Sequence, residues 1–146
     1  MKKLILFLFV GVISIQVNAQ KTDKELVTKA CMNYLEGFYE GNTDKLKASL
    51  QPTLNKFGFW KSDKTNKYGK KIPMTFEGAL KFAKDVESRK NYAKKGSPKK
   101  VEILDLQDKI AAVKVTAYWG IDYMFLSKQG NSWMIEQVIW QGPNSK

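Results

Sequence analysis

Apolar residues recur at steps of three and four near the start of the chain: Leu26, Val27, Ala30, Cys31, Tyr34, Leu35 and Phe38. This spacing puts them on one face of a helix running to about residue 39, with Thr22 or Asp23 as its cap. Glu40-Gly41-Asn42 ends that helix. Thr43 then caps a short second helix over 44–50, with Leu46 and Leu50 on one side and Pro52 beyond its end. Two β-type stretches, 57–60 and 68–72, flank a polar loop at 62–67 and predict a hairpin. A third helix begins at Thr75, carries Phe76, Ala79, Leu80, Ala83 and Val86 on one face, and fades near Asn91. Residues 94–98 form a linker.

Beyond Pro98 the period changes to two. Runs at 101–106, 110–117, 121–128 and 133–140 are rich in β-branched and aromatic residues, and the connections between them are too short for anything but antiparallel neighbours. Helices first and strands after give an α+β fold, a curved antiparallel sheet with three helices against one face. Val113, Val115 and Ala117 alternate with Lys114 and Thr116, the pattern of a strand covered on one side. The last two strands are apolar on both sides. Ile121, Tyr123 and Phe125 oppose Met124 and Leu126, and Ile135 and Ile139 oppose Met134, Val138 and Trp140. Helices can cover only one of these faces. The expected cover for the other is a second copy of the chain, giving a homodimer through the outer sheet face, assigned to Met124, Leu126, Val138 and Trp140.

The first 19 residues stand apart from this pattern. Lys2 and Lys3, an uncharged apolar run over 4–15 and small residues ending at Ala19 predict a cleavable signal peptide, cut after Ala19, and a periplasmic or secreted protein. The run is too short to span a bilayer, so no membrane association is expected after cleavage. Residues 20–146 then form a single domain.

Composition removes whole classes of chemistry. There is no histidine, which excludes imidazole bases and Ser-His or Cys-His nucleophile pairs, and the single cysteine excludes an internal disulfide. Carboxylates with metal-ligand spacing are absent, and no cofactor is expected. The net charge of +11 suits an anionic partner, but Arg89 is the only arginine among 25 basic residues. Lysine lacks the planar fork that reads phosphates and base edges, so nucleic acid is not expected. The lysine-rich stretches at 61–71 and 94–100 read as solvated loop surface.

The order of the C-terminal runs, with Val101 to Leu106, Ile110 to Val115, Asp122-Tyr123 and Trp133 to Trp140, resembles the nuclear-transport-factor-2-like superfamily. Asn33-Tyr34-Leu35-Glu36-Gly37 followed by Gly41-Asn42 and Leu46 is similar to its small exported bacterial branch labelled "putative lumazine-binding". Where that branch carries a His-Pro after the second helix and a Lys-Arg soon after, this chain has Gln51-Pro52 and Lys56-Phe57. The resemblance implies a cystatin-like cone: three helices across a strongly bent sheet, a pocket open at one end, and a dimer through the sheet's other face.

A pocket of that kind needs a lining. Tyr34, Phe38, Trp60, Trp119, Asp122, Tyr123 and Trp133 are the candidates, suited to a small, partly aromatic ligand, although tryptophans on strands also serve as core. The favoured reading is a non-catalytic binding module. The alternative is a proton-transfer enzyme, like ketosteroid isomerase or a polyketide cyclase, using Asp122 as base with a tyrosine donor, Tyr34. Against it stands the simpler possibility that Asp122 satisfies turn backbone after Gly120.

Overall fold

The structure is a computed structural model and describes residues 22–142; the expected signal peptide lies outside the described residues. α1 (Asp23–Glu40) starts at Thr22, whose hydroxyl accepts from the Glu25 N–H while the Glu25 carboxylate accepts from the Thr22 N–H. That reciprocal pair satisfies two otherwise orphaned donors. Gly41 ends the helix at φ 69°. α2 (Thr43–Lys47) is capped by Asn42 rather than Thr43, and Lys45 fastens it to α1 by contacts of 2.7 Å to both Glu36 and Glu40.

The second helix is shorter than its apolar spacing suggests because Leu50 already belongs to β1 (Leu50–Phe59). β1 takes in Pro52 where its pairing is irregular, between Leu50 and Asn55. A strand can hold a proline at such a break, where no ladder bond is required of its nitrogen. β1 runs antiparallel to β2 (Ile72–Met74), so a hairpin exists, but its second strand lies beyond the marked stretch and shares only Ile72 with it, with an isolated bridge between Lys61 and Tyr68 nearer the loop. α3 (Phe76–Arg89) follows at once, capped by Thr75.

The remaining strands fall within a residue of their expected limits: β3 (Lys100–Leu106), β4 (Ile110–Ala117), β5 (Gly120–Gln129) and β6 (Ser132–Gln141). The sheet order is β2-β1-β6-β5-β4-β3. It is mixed rather than wholly antiparallel, because β1 lies parallel to β6. The long passage through α3 and four strands makes that pairing possible, whereas short connections cannot. α1 crosses the inner face over β3, β4 and β6, and α3 packs on β1 and α1. Among the described residues no helix is long and apolar enough to cross a membrane.

The two-sided strands resolve in the opposite sense to the expected one. Met124, Leu126 and Val138 are buried beneath the helices, and Trp140 faces the same way, whereas Tyr123 (52% exposed), Phe125 (57%) and Ile139 stand on the outer face. The residues assigned to a dimer surface therefore belong to the interior. A second correction concerns β6. Leu126 pairs with Ile135 but Phe125 pairs with Gln137, leaving Glu136 as a bulge. The extra residue reverses the alternation, so Ile135 and Val138 both point inward.

Candidate functional site

Inward positions of β1, β5 and β6 meet α1 at one end of the sheet. Lys56 pairs with Val138 and faces the helices with it, only 6% exposed. The next inward row holds Gly58, Trp140 and Asp122 side by side. Gly58 is what admits the Trp140 ring: a Cβ there would sit 2.1 Å from the indole. Opposite, α1 presents Tyr34 and, one turn on, Phe38, their rings edge-to-face with centroids 5.0 Å apart.

The two-residue turn between β4 and β5 supplies Tyr118 and Trp119. It closes on Gly120 at φ 140°, and a Cβ at this position would lie 2.0 Å from the Gln141 carbonyl. Only glycine fits such an approach. Tyr39 braces the turn: its hydroxyl accepts from the Tyr118 N–H at 2.9 Å and donates to the Pro98 carbonyl at 2.5 Å. The Trp119 ring then packs edge-on against Tyr34, Phe38 and Tyr39.

These side chains enclose a cavity of about 310 Å³. Tyr34, Phe38, Lys56, Trp119 and Trp140 line its depth, and Trp60, Ile72, Met74, Phe82 and Tyr118 complete the wall. Trp60, Ile72, Phe82 and Tyr118 are also open to solvent, as residues at a mouth would be.

At the inner end the polar groups form a chain. The Asp122 carboxylate is fully buried. Its Oδ2 accepts from the Tyr34 hydroxyl at 2.5 Å and its Oδ1 from the Trp119 indole N–H at 2.7 Å. The Lys56 Nζ donates to the Tyr34 oxygen at 2.7 Å and stands 3.9 Å from Asp122 Oδ2. Asp122 therefore does not cap the turn after Gly120; it anchors two side chains of the cavity wall. Burial, then the neighbouring carboxylate, hold the Tyr34 hydroxyl well above the ordinary tyrosine value. Burial pushes the Lys56 ammonium down to about 8, and Asp122 offsets only part of that effect. Cys31, one turn before Tyr34, is buried in the core and its thiol is pushed up to about 12, so it is no nucleophile at neutral pH.

Of the residues marked in the sequence, Tyr34, Phe38, Trp60 and Trp119 come together at the cavity, with Asp122 directly behind them. Tyr123 does not join them, because its strand turns it to the outer face. Trp133 is also elsewhere: it is buried beside the start of α1, its N–H donated to Asp23 at 3.0 Å. Lys56 is the residue the sequence reading passed over. The apolar pair Phe57 and Phe59 put it on the solvent side of an alternating strand, yet Leu54, Lys56 and Gly58 are the buried positions. The available signal was the shared parity of Leu54 and Lys56.

Residues 22–141 match the model of the family described as "Putative lumazine-binding". The chain belongs to this family. Its fold is also that of solved proteins called NTF2-like. One of unknown function from Silicibacter pomeroyi is 16% identical, with a TM-score of 0.61 over 82% of this chain and 98% of its own. Another, from Shewanella baltica, is 17% identical, with a TM-score of 0.58 over 84% and 94%. A domain with a cystatin-like fold from Nostoc punctiforme is 12% identical, with a TM-score of 0.54 over 84% of this chain and 78% of that one. Compared with curated protein sequences, the chain has no match.

Proposed function

We propose that this member of the family is a non-catalytic binding module whose cavity holds a small, flat, partly aromatic ligand. The observation that carries this reading is the cavity itself: an apolar space of about 310 Å³ walled by aromatic rings, with polar groups gathered at one end. Sites for small molecules have this make-up, a largely apolar wall with a few placed polar groups. The family's description also points to a small ligand.

The arrangement of protons speaks against the proton-transfer alternative. A base must offer a free lone pair toward substrate and a donor must offer its proton. Asp122 is fully buried behind Tyr34 and Trp119, outside the lining of the cavity, and Tyr34 donates its one proton to Asp122. The test is a panel of aromatic compounds followed by tryptophan fluorescence and melting temperature. Three tryptophans line the cavity, so a bound ring will alter emission. A ligand at 100 times its Kd adds about 2.7 kcal/mol of stability. A panel that shifts neither signal defeats the reading.

Two further parts of this proposal concern the protein's setting. The signal peptide at residues 1–19 directs export, and N-terminal sequencing of the mature protein will begin at Gln20. The outer sheet face carries Phe57, Tyr123, Phe125 and Ile139 and pairs with a second copy of the chain. Phe125→Lys will then sediment as a monomer while the wild-type chain sediments as a dimer; a monomeric wild type at high concentration refutes the pairing.

A further inference from the structure

The polar groups at the inner end of the cavity are unequal in what they have left to give. An ammonium carries three donors. Lys56 spends one on the Tyr34 oxygen, and Asp122 Oδ2, at 3.9 Å, is beyond hydrogen-bond reach. Tyr34 and Trp119 have committed their protons to Asp122. Of these three side chains, Lys56 is the one that keeps donors free to meet a ligand. The rest of its surroundings are rings: Nζ lies 5.3 Å from the Tyr34 centroid, 5.7 Å from Phe38 and 5.5 Å from Trp140. Ring faces compensate a buried cation weakly compared with an anion.

We infer that Lys56 Nζ is the anchor of this pocket, and that the ligand is a planar aromatic carboxylate with its ring among Phe38, Trp119 and Trp140 and its carboxylate on the ammonium. The inference rests on the binding reading above and names its ligand class. A neutral carbonyl would use a donor but leave the ammonium with only the partial offset that Asp122 gives it from 3.9 Å. A phosphate presents more acceptors than one lysine with two remaining N–H groups can satisfy. A cationic ligand would compete with Lys56 for the same ring faces. The approach to the cavity agrees: between the wall residues Trp60 and Ile72, residues 61–71 carry five lysines against the single Asp63, a field that draws anions toward the mouth.

Titration gives an independent reading of the same contact. Tyr34 from α1, Asp122 from β5 and Tyr118 from the turn between β4 and β5 are the ionisable groups around this end of the cavity. α3 offers Phe82, β2 offers Ile72 and Met74, and β6 offers Val138 and Trp140. Burial raises both tyrosines, so Lys56 is the first of these groups to lose a proton above neutral pH. Carboxylate affinity will accordingly hold below pH about 8 and fall above it.

The experiment compares 2-naphthoate with its neutral counterpart 2-naphthalenemethanol, titrated into the full-length protein at pH 7 and at pH 10. The expected result is a preference for naphthoate of about tenfold or more at pH 7, lost in Lys56→Met and greatly reduced at pH 10. Equal binding of the two probes, or a preference that survives Lys56→Met, overturns the inference and leaves the pocket reading intact. Binding of neither probe overturns both. Should Lys56→Met fail to fold, the wild-type pH profile decides, and a preference unchanged from pH 7 to pH 10 overturns the assignment.

Discussion

Two tryptophan–aspartate pairs stand at opposite ends of α1. Near its start, Trp133 donates its indole N–H to Asp23 at 3.0 Å; beside its second half, Trp119 donates to Asp122 at 2.7 Å. Each aspartate also has a lysine. Lys128 reaches Asp23 directly, at 2.7 Å, in a partly exposed position. Lys56 reaches Asp122 only through the Tyr34 hydroxyl. At the first end the charges meet and the residues around them close into core. At the second, a tyrosine stands between them, both charges are buried, and the lysine keeps donors that face a cavity. The difference between the structural tie and the proposed binding site is one interposed hydroxyl.

This comparison can be broken at several points. The largest effect will come from Asp122→Asn, which removes the carboxylate beside the buried ammonium and puts an amide NH2 where one of its two donors needs an acceptor. Taking one member from a buried pair is costly, and we expect a loss of about 4 kcal/mol in urea unfolding at pH 7. The equivalent change at the other end, Asp23→Asn, will cost far less.

Lys56→Met sharpens the contrast through pH. In the folded protein the lysine titrates at about 8, below its ordinary 10.5. The unfolded chain therefore binds more protons between these values, and stability rises with pH across that window. The burden of the charged amine is fully present below pH 8 and disappears as pH approaches 10.5. Relative to Lys56→Met, the wild type will gain about 3 kcal/mol from pH 7 to pH 10.5, read as the difference between parallel denaturation curves. A constant difference would mean that the amine is not desolvated.

Trp133→Phe comes next, with a cost of about 2 kcal/mol from a lost hydrogen bond and a small void, and with no change in ligand binding. A change in affinity would contradict the separation of the two ends. The smallest effect belongs to Asp23→Asn. The contacts of Lys128 and then Trp133 hold the Asp23 carboxyl below its ordinary value, so its contribution is present above pH 3.8 and is lost as pH falls through the folded value. The variant will abolish that part of the wild type's acid sensitivity, measured by melting temperature below pH 5.

Much of this architecture was legible in the sequence, for local reasons. Thr22 and Thr75 mark helix starts because a side-chain oxygen is needed there, and the strand limits after Pro98 follow from turn residues at fixed intervals. What escaped was the sign of the alternation. When both faces of a strand are apolar, a period of two separates the sides but does not say which lies inside. Met124 and Tyr123 are equally plausible core residues until the helices are placed, and the bulge at Glu136 reverses the pattern partway along β6. Asp122 was found because it is a carboxylate among aromatics. Lys56 was missed because the reason it can lie inside is distant in the chain: Tyr34 accepts its proton, and Gly58 gives Trp140 room beside it.

The parallel contact between β1 and β6 has a bearing on time as well as shape. Lys56 and Val138 are about eighty residues apart in the chain, so the β1–β6 pairing is among its slowest contacts to close and cannot begin until the last strand has been synthesised. Helices and the β3–β5 meander can form earlier from neighbours in sequence. A nascent chain that stops short of residue 138 holds Lys56 and Asp122 yet lacks the Trp140 wall of the cavity. On the binding reading proposed above, only chains that extend through Trp140 will take up ligand.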